Sequence, residues 1–210
     1  KENEKKEAID KALWISALNG HLDVFEYIIR NFECKNPVNT DKQTPLHSAA
    51  RNGHLDICKF ILSNFDDQSN CNPKSKNGET PLHSAAEFGH FSIVNYLVEN
   101  GAIIRGDPYL IPSAADGGLE NGYLRIIKYL HERGANIDSK PNLGNTGLGY
   151  AAYGGNFPIV QYLVDNGVDV NVRMAGYSAL KWAKVSPRHF RERKPEMNAI
   201  IAYLLANGAS

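Results

Sequence analysis

A motif that recurs at a nearly constant spacing is the feature of this chain that most limits its fold. The segment Thr44–Ala50 reads Thr-Pro-Leu-His-Ser-Ala-Ala, and Thr80–Ala86 repeats it letter for letter. A turn glycine follows each copy, and in neighbouring copies these glycines lie 33 residues apart, or 36 in one interval. A period of this length predicts a stack of similar units whose core forms only between neighbours. The glycines are Gly20, Gly53, Gly89, Gly122 and Gly155.

The residue types within one unit predict how that unit folds. Thr at the head of the motif is a good helix N-cap, and Pro in the next position lacks an amide that would have no partner there. The pair Ala49-Ala50 lets helices pack closely, and Gly53 suits a tight turn between antiparallel helices. Apolar residues then recur at helical spacing from Leu55 to Leu62. Each unit is therefore predicted to contain two antiparallel helices that bury apolar surface against neighbouring units.

These motifs resemble the ankyrin repeat, whose signature is Thr-Pro-Leu-His-x-Ala-Ala followed by Gly-His and an apolar helix. The resemblance covers about residues 9 to 210. It implies an all-α fold, an ankyrin-repeat solenoid of about six helix-turn-helix repeats with short β-hairpin loops, in a single domain over 1–210. The predicted repeats are 11–43, 44–79, 80–108, 109–145, 146–177 and 178–210, with insertions near 66–70, 116–121 and 185–196.

The later repeats depart from the motif. Pro112 stands where the motif has His, so we expect it to distort the first helix of the fourth repeat or to shift its start. Gly147 and Gly149 are expected to weaken the first helix of the fifth repeat by up to about 1 kcal/mol each. The insertion in the sixth repeat carries a basic cluster between Pro187 and Pro195. This cluster is either a solvated loop or a contact for an acidic partner or a phosphate.

Composition and spacing argue against several classes of protein. Lys plus Arg and Asp plus Glu both number 23, which argues against nucleic-acid binding, and no apolar run is long enough to cross a membrane. No Cys and His spacing suggests a metal site, and no nucleotide-binding or nucleophile motif occurs. We therefore predict no enzyme activity and no catalytic, cofactor-binding or metal-binding residues. Cys34 and Cys71 are interpreted as loop thiols and Cys58 as a core residue, a pattern that favours the reducing cytosol or nucleus.

The resemblance implies structural roles for five of the seven histidines. At one position of the motif the imidazole bonds the backbone and ties neighbouring hairpins, and at another it lies at the turn between the two helices. His131 and His189 fall outside these positions and are interpreted as isolated. The first position is occupied by His47 and His83, and the second by His21, His54 and His90.

Asn171 has two interpretations. It lies eight residues after Leu163 and follows Asp169-Val170, which resembles the target of the asparaginyl hydroxylase that modifies ankyrin repeats. Asn at this place is also part of the repeat pattern, in which its side chain bonds the hairpin. Both interpretations stay open at this point.

The resemblance also indicates where a partner binds. Partners of ankyrin repeats usually contact the hairpin tips and the exposed face of each first helix, which form a concave groove. Large aromatic residues at such positions favour binding, because aromatic residues and Arg dominate interface energies. Trp14 and Trp182 are instead predicted to lie in the core or at caps. The predicted partner-binding residues are Arg51, Asn52, Lys76, Asn77, Glu79, Glu87, Phe88, Asn142, Asn145, Tyr150, Tyr153, Met174 and Tyr177.

The implied function is that of a non-enzymatic module that binds a partner protein through this groove, and we predict a monomer. Because Asn207–Ser210 stops within a hairpin, we expect a segment of a longer regulatory or host-directed effector protein. Two alternatives stay open. The chain is an enzyme or a substrate-recruiting subunit with chemistry on the insertions or in a missing domain, or it is a structural array that spaces other domains.

Overall fold

The computed structural model describes residues 2–32, 37–64, 71–116, 121–141, 146–186 and 194–210. Twelve helices occur in these ranges, and they follow one another as six antiparallel pairs, which confirms the predicted all-α fold of helix-turn-helix repeats. The chain divides into two compact units, Lys1–Ile103 and Ile104–Ser210. The predicted insertions near 66–70, 116–121 and 185–196 lie mostly outside the described residues.

Unit 1, Lys1–Ile103, consists of three helix pairs in two layers. Within a pair the first helix, here called the inner helix, packs against the second, the outer helix, and inner helices also pack on one another. The buried leucines Leu13, Leu46 and Leu82 occupy the same place in the three inner helices and form the centre of the core. The pairs are α1 (Glu2–Asn19) with α2 (Leu22–Asn31), α3 (Pro45–Asn52) with α4 (Leu55–Asn64), and α5 (Pro81–Glu87) with α6 (Phe91–Glu99).

Unit 2, Ile104–Ser210, repeats this arrangement with three more pairs. Here α9 packs against both other inner helices, and the buried residues Ile111, Leu148 and Leu180 occupy the places that the three leucines have in unit 1. One predicted β-hairpin forms two short antiparallel strands, β1 (Arg173–Met174) and β2 (Tyr177–Ser178). The pairs are α7 (Leu110–Asp116) with α8 (Asn121–Glu132), α9 (Gly147–Gly154) with α10 (Phe157–Asp165), and α11 (Ala179–Val185) with α12 (Lys194–Ala206).

The motif histidine connects the start of one inner helix to the next repeat. His47 Nδ1 accepts the backbone N–H of Thr44 at 3.1 Å, so the proton resides on Nε2, which donates to the carbonyl of Glu79 at 3.1 Å. His83 accepts the N–H of Thr80 in the same way at 3.2 Å. The predicted backbone role of these two histidines is confirmed, and at His47 the bond reaches the next hairpin.

The histidine of the turn reaches in the opposite direction, to the preceding repeat. His54 Nε2 lies 3.0 Å from the carbonyl of Leu18, and His90 Nε2 lies 2.9 Å from that of Arg51. The ring of His54 passes so close to Gly20 that a Cβ there would lie 2.5 Å from its Nδ1. Gly20 also has a φ of +76°, so both the backbone conformation and the neighbouring ring require glycine.

One expectation about the later repeats needs correction, and the structure adds detail to two expectations about side chains. Helix α7 begins at Leu110, four residues before its Ala pair as α3 does, so Pro112 does not shift the start: it lies in the first turn, where an amide has no intrahelical partner. Cys71 lies in the loop between α4 and α5 as predicted, and it is buried there, with its Sγ 3.3 Å from the carbonyl of Asn100. His131 is not isolated, because its Nδ1 lies 2.8 Å from the hydroxyl of Tyr162.

Gly147 has a packing role in addition to its effect on helix propensity. It is fully buried in α9, and a Cβ at this position would lie 3.0 Å from Cγ2 of Ile111 in α7. The missing side chain therefore allows the two inner helices to approach closely, which offsets the cost of glycine in a helix. The hydroxyl of Thr146 accepts the N–H of Gly149 at 3.1 Å and caps the helix as expected for Thr.

Candidate protein-binding surface

In unit 2, two helices and a hairpin bring three aromatic side chains together. Tyr153 in the last turn of α9 meets Trp182 of α11 edge-to-face, with ring centroids 5.2 Å apart. Tyr177 of β2 meets the same Trp182 ring at 5.3 Å, again edge-to-face. Edge-to-face pairs at such distances are the favoured arrangement of aromatic rings. We call Tyr153, Tyr177 and Trp182 the aromatic cluster.

Local sequence features position each ring of the aromatic cluster. Ala175 and Gly176 both have positive φ, at +49° and +83°, which makes the tight turn that pairs Tyr177 with Met174. Ser186 at the end of α11 is fully buried and donates its hydroxyl to the carbonyl of Tyr153 at 2.8 Å, which ties the ends of α11 and α9 together. The rings are thus held by backbone elements that do not depend on a ligand.

The aromatic cluster is open to solvent. Tyr177 is 46% exposed, and Tyr153 and Trp182 are half-buried. Trp182 is predicted to lie in the core or at a cap, whereas it is half-buried and lies between the two tyrosines. Tyr150, another predicted contact residue, is also half-buried in α9.

Unit 1 places two of its predicted contact residues together. The guanidinium carbon of Arg51 in α3 lies 4.4 Å from the centre of the Phe88 ring at the end of α5, a cation–π contact. Arg51 is exposed and Phe88 is half-buried. Asn52 uses its side-chain amide within its own helix, as a donor to the carbonyl of Ser48 at 2.8 Å, and Glu87 is half-buried next to Phe88.

The hairpin tips of unit 1 carry the other predicted contact residues. Lys76, Asn77 and Glu79 are all exposed. The backbone N–H of Lys76 donates to the carbonyl of Asp41 at 2.8 Å, which joins neighbouring tips. In unit 2, Asn142 and Asn145 lie outside the described residues, as does the side chain of Met174.

A surface that the sequence did not indicate lies along α1. A groove of about 860 Å³ is bordered by α1 and the segment Pro37–Thr40, and its walls are mainly apolar. Ile15 and Leu18 from α1 and Val38 from the opposite wall are 44%, 37% and 59% exposed. The sequence contains one indication of this surface. Ile15 in α1 stands at the place that the buried Ser48 has in α3, so a large apolar residue replaces a small one.

The side chain of Asn171 makes two hydrogen bonds to the backbone of the next repeat. Its side-chain amide donates to the carbonyl of Gly208 at 3.1 Å and its oxygen accepts the N–H of Ser210 at 2.9 Å. Asn72 in unit 1 makes the same pair of bonds, to the carbonyl of Gly101 at 3.1 Å and from the N–H of Ile103 at 2.9 Å. The hairpin-bonding role is therefore confirmed, and hydroxylation of Asn171 stays a prediction.

Potential metal ligands and thiols among the described side chains are distinguished by their geometry and burial. No group of three or more His, Cys, Asp or Glu that could hold a metal ion occurs among them. Burial raises the pKa of the Cys58 thiol to about 12 and also raises the pKa of Cys71, so neither is a reactive thiolate at neutral pH. Among the described helices, none is both long and apolar enough to cross a bilayer.

Stacked helix pairs with short hairpins, joined by histidine bonds between repeats, define a helical repeat protein. Two models of ankyrin repeats match the chain, one described as three copies over residues 13–107 and one as many copies over residues 112–164. The chain belongs to the ankyrin-repeat family. It is also similar in structure to the human ASB11 ankyrin repeat domain, with 26% identity and a TM-score of 0.74 over 94% of this chain and 84% of that one. No curated protein sequence matches the chain.

Proposed function

We propose that this protein binds a partner protein through the inner helices and hairpins of its repeats, with the aromatic cluster of unit 2 as the main contact. Ankyrin repeats are in general protein–protein interaction modules, and this chain belongs to that family. The observation that carries the proposal is the position of three partly exposed rings, Tyr153, Tyr177 and Trp182, on one surface.

The energetics of interfaces support this choice of surface. Tyr and Trp are the residues most often found at binding hot spots, because they offer large rigid contact area and lose little side-chain entropy. Here the rings are already held by one another and by the β1–β2 turn, so little ordering is left to be done on binding. Burial of the exposed part of Tyr177 in a partner removes apolar surface from water, which favours association.

Unit 1 contributes a second contact in this proposal. Arg51 and Phe88 are a cation and a ring that already touch, on neighbouring inner helices. Arg is the other residue type enriched at hot spots, and its planar guanidinium can bind a carboxylate while it stacks on a ring. Because ankyrin repeats are in general binding modules, we propose a binding module rather than an enzyme.

The test is affinity capture from cell lysate with the full chain as bait. Wild type is compared with Tyr153→Ala/Tyr177→Ala, and Tyr27→Ala serves as the matched control because Tyr27 is a 62% exposed tyrosine on the outer helix α2. We expect the amount of protein captured by the double variant to be lower by about tenfold or more, which corresponds to the loss of one hot spot. The Tyr27 variant should retain them. Equal capture by wild type and the double variant would show that the aromatic cluster is not the contact surface.

We also propose that the protein acts in a reducing compartment, the cytosol or nucleus. Cys58 is a buried free thiol in the core of unit 1. Free thiols of this kind are typical of proteins from reducing compartments.

A further inference from the structure

Seven asparagines of this chain are directly followed by glycine, a pair in which the asparagine is chemically labile. Because glycine has no Cβ, its backbone nitrogen approaches the side-chain carbonyl carbon of the preceding asparagine without steric hindrance. The side chains of six of these asparagines are described, and all six are exposed, so exposure alone does not distinguish them. These pairs are Asn19-Gly20, Asn52-Gly53, Asn77-Gly78, Asn100-Gly101, Asn166-Gly167 and Asn207-Gly208.

Five of the six asparagines lie at the end of a helix, where a hydrogen bond holds the side chain. Each donates its side-chain amide to the backbone carbonyl four residues earlier, at 2.7 to 3.0 Å. The acceptor belongs to the preceding helical turn, whereas the glycine nitrogen follows the asparagine in the chain. Attack by that nitrogen therefore requires loss of this bond first. These helix-end asparagines are Asn19, Asn52, Asn100, Asn166 and Asn207.

Asn77 lies in a different setting, at the tip of the hairpin before α5. Its side chain is exposed, and it has no hydrogen-bond partner among the described residues. The turn is closed by its neighbours: the N–H of Gly78 donates to the carbonyl of Ser75 at 3.0 Å, and the N–H of Glu79 donates to the Ser75 hydroxyl at 3.2 Å. Bonds in an exposed turn open more readily than those of packed helices, and opening this turn frees the Gly78 nitrogen.

We propose that Asn77 is a spontaneous deamidation site, and that it reacts faster in the folded chain than the five helix-end asparagines. The backbone nitrogen of Gly78 loses its proton and forms a bond to Cγ of Asn77. The bond from Cγ to the side-chain amide nitrogen breaks, and ammonia leaves. Water then opens the cyclic imide at one of its two carbonyls, which gives aspartate or isoaspartate at this position. No electrons are transferred, and water is the co-reactant.

The two products differ in how well they fit the hairpin tip. Both add a carboxylate next to Glu79, on a tip that belongs to the predicted contact surface. Aspartate fits the turn, because Asp41 and Lys42 occupy the places of Asn77 and Gly78 in the preceding hairpin. Isoaspartate lengthens the backbone by the side-chain carbon, so it disturbs the turn. The modification therefore changes the charge of the tip in either case and its backbone in one.

Peptide mapping by mass spectrometry tests the proposal on the full chain. The folded protein is incubated at physiological temperature and mildly alkaline pH, and the replacement of NH2 by OH is quantified at each of the six asparagines. We expect the deamidated fraction at Asn77 to be at least about fivefold higher than at any helix-end asparagine. In urea the six rates should converge, because the sequence pair is the same and the helix-end bonds are lost.

Two variants of the tip identify the attacking group. Gly78→Lys should slow deamidation of Asn77 by about tenfold, because a side chain at this place hinders the attack. The turn should accept this change, since Lys42 has a φ of +58° at the same place of the preceding hairpin. Lys76→Gln is the matched control, because it changes an exposed residue of the same tip and keeps the Asn-Gly pair, so the wild-type rate is expected. Far-ultraviolet circular dichroism verifies that both variants are folded.

Three results would overturn the proposal. The first is a folded chain in which Asn77 deamidates no faster than the helix-end asparagines. The second is a rate at Asn77 that is unchanged in Gly78→Lys. The third is a set of six rates that differ in urea as they do in the folded chain, because the local sequence rather than the hairpin tip would then set them.

Discussion

At the scale of single residues, His47 illustrates how one side chain joins a helix start to the neighbouring repeat. Its ring is almost fully buried, with one nitrogen facing the N–H of Thr44 and the other facing the carbonyl of Glu79. Both bonds require the neutral ring with the proton on Nε2, because the protonated ring would present a second donor to the Thr44 N–H. Burial lowers the pKa of His47 from its ordinary value of 6.5, and the nearby His83 contributes to the same direction.

This lowered pKa predicts a loss of stability on acidification. The folded state binds a proton at His47 less readily than the unfolded state does, so the free energy of unfolding is highest above pH 6.5 and falls as the pH drops towards the folded pKa. His47→Gln should cost about 1 kcal/mol at about pH 8, because it disturbs two buried hydrogen bonds. Urea unfolding at a series of pH values should show that this difference shrinks towards about pH 5.

A matched histidine serves as the control for this prediction. His21 is exposed, and we expect His21→Gln to keep the wild-type free energy of unfolding at about pH 8. A difference between wild type and His47→Gln that stays constant over the whole pH range would contradict the role of His47.

At the scale of elements, an asparagine at the same place in two repeats joins one hairpin to the next. Asn72 and Asn171 each span two backbone groups of the next repeat, one as donor and one as acceptor. The bonds fix the position of each hairpin relative to its neighbour within the same unit. Because the hairpin before α11 carries Tyr177, this element also determines where one ring of the aromatic cluster lies.

Removal of these asparagine bonds should destabilise the repeats. We expect Asn72→Ala and Asn171→Ala each to lower the free energy of unfolding by about 1 to 2 kcal/mol, since each leaves a backbone donor and a backbone acceptor without their partner. Chemical denaturation monitored by circular dichroism measures this change. Asn136→Ala is the control, because Asn136 is exposed and its side chain bonds only within its own turn, to the N–H of Asp138. Equal stability of all three variants would contradict this role of Asn72 and Asn171.

The elements also show which sequence arguments were sound and which failed. The capping and turn motifs act locally, and the helices therefore begin and turn where the motifs predicted, at Pro45 and Pro81 for example. Pro112 leaves the start of α7 at Leu110, because it lies in the first turn, where an amide would have no intrahelical partner. Gly147 does more than lower helix propensity, because its missing side chain makes room for Ile111 of a neighbouring helix.

At the scale of the whole molecule, two compact units each contain three helix pairs with their own buried leucines. The division into two units does not test the prediction of a single domain over 1–210, which stays a prediction. In repeat proteins each pair contacts its neighbours only, so stability is approximately a sum over pairs and interfaces. About three repeats are needed before such a stack is stable by itself.

Each unit should therefore fold when it is produced alone. We expect residues 104–210 to show a helical circular dichroism spectrum and a cooperative urea transition, because the segment contains three helix pairs with their own core. The segment 1–103 is the matched comparison, since it contains the same number of helix pairs. A spectrum without helix for either segment would show that the six repeats are stable only as one array.

The sequence by itself determined the repeat, its two helices and their turns. Capping, glycine conformation and apolar periodicity act within one repeat, so the residues of that repeat are enough to predict them. It also indicated Tyr153 and Tyr177 as surface aromatics, but it could not place Trp182 between them. That contact, the burial of Cys71 and the groove along α1 were decided by the tertiary structure. All three depend on which faces of neighbouring repeats pack together, and that packing is determined by residues that are distant in the sequence.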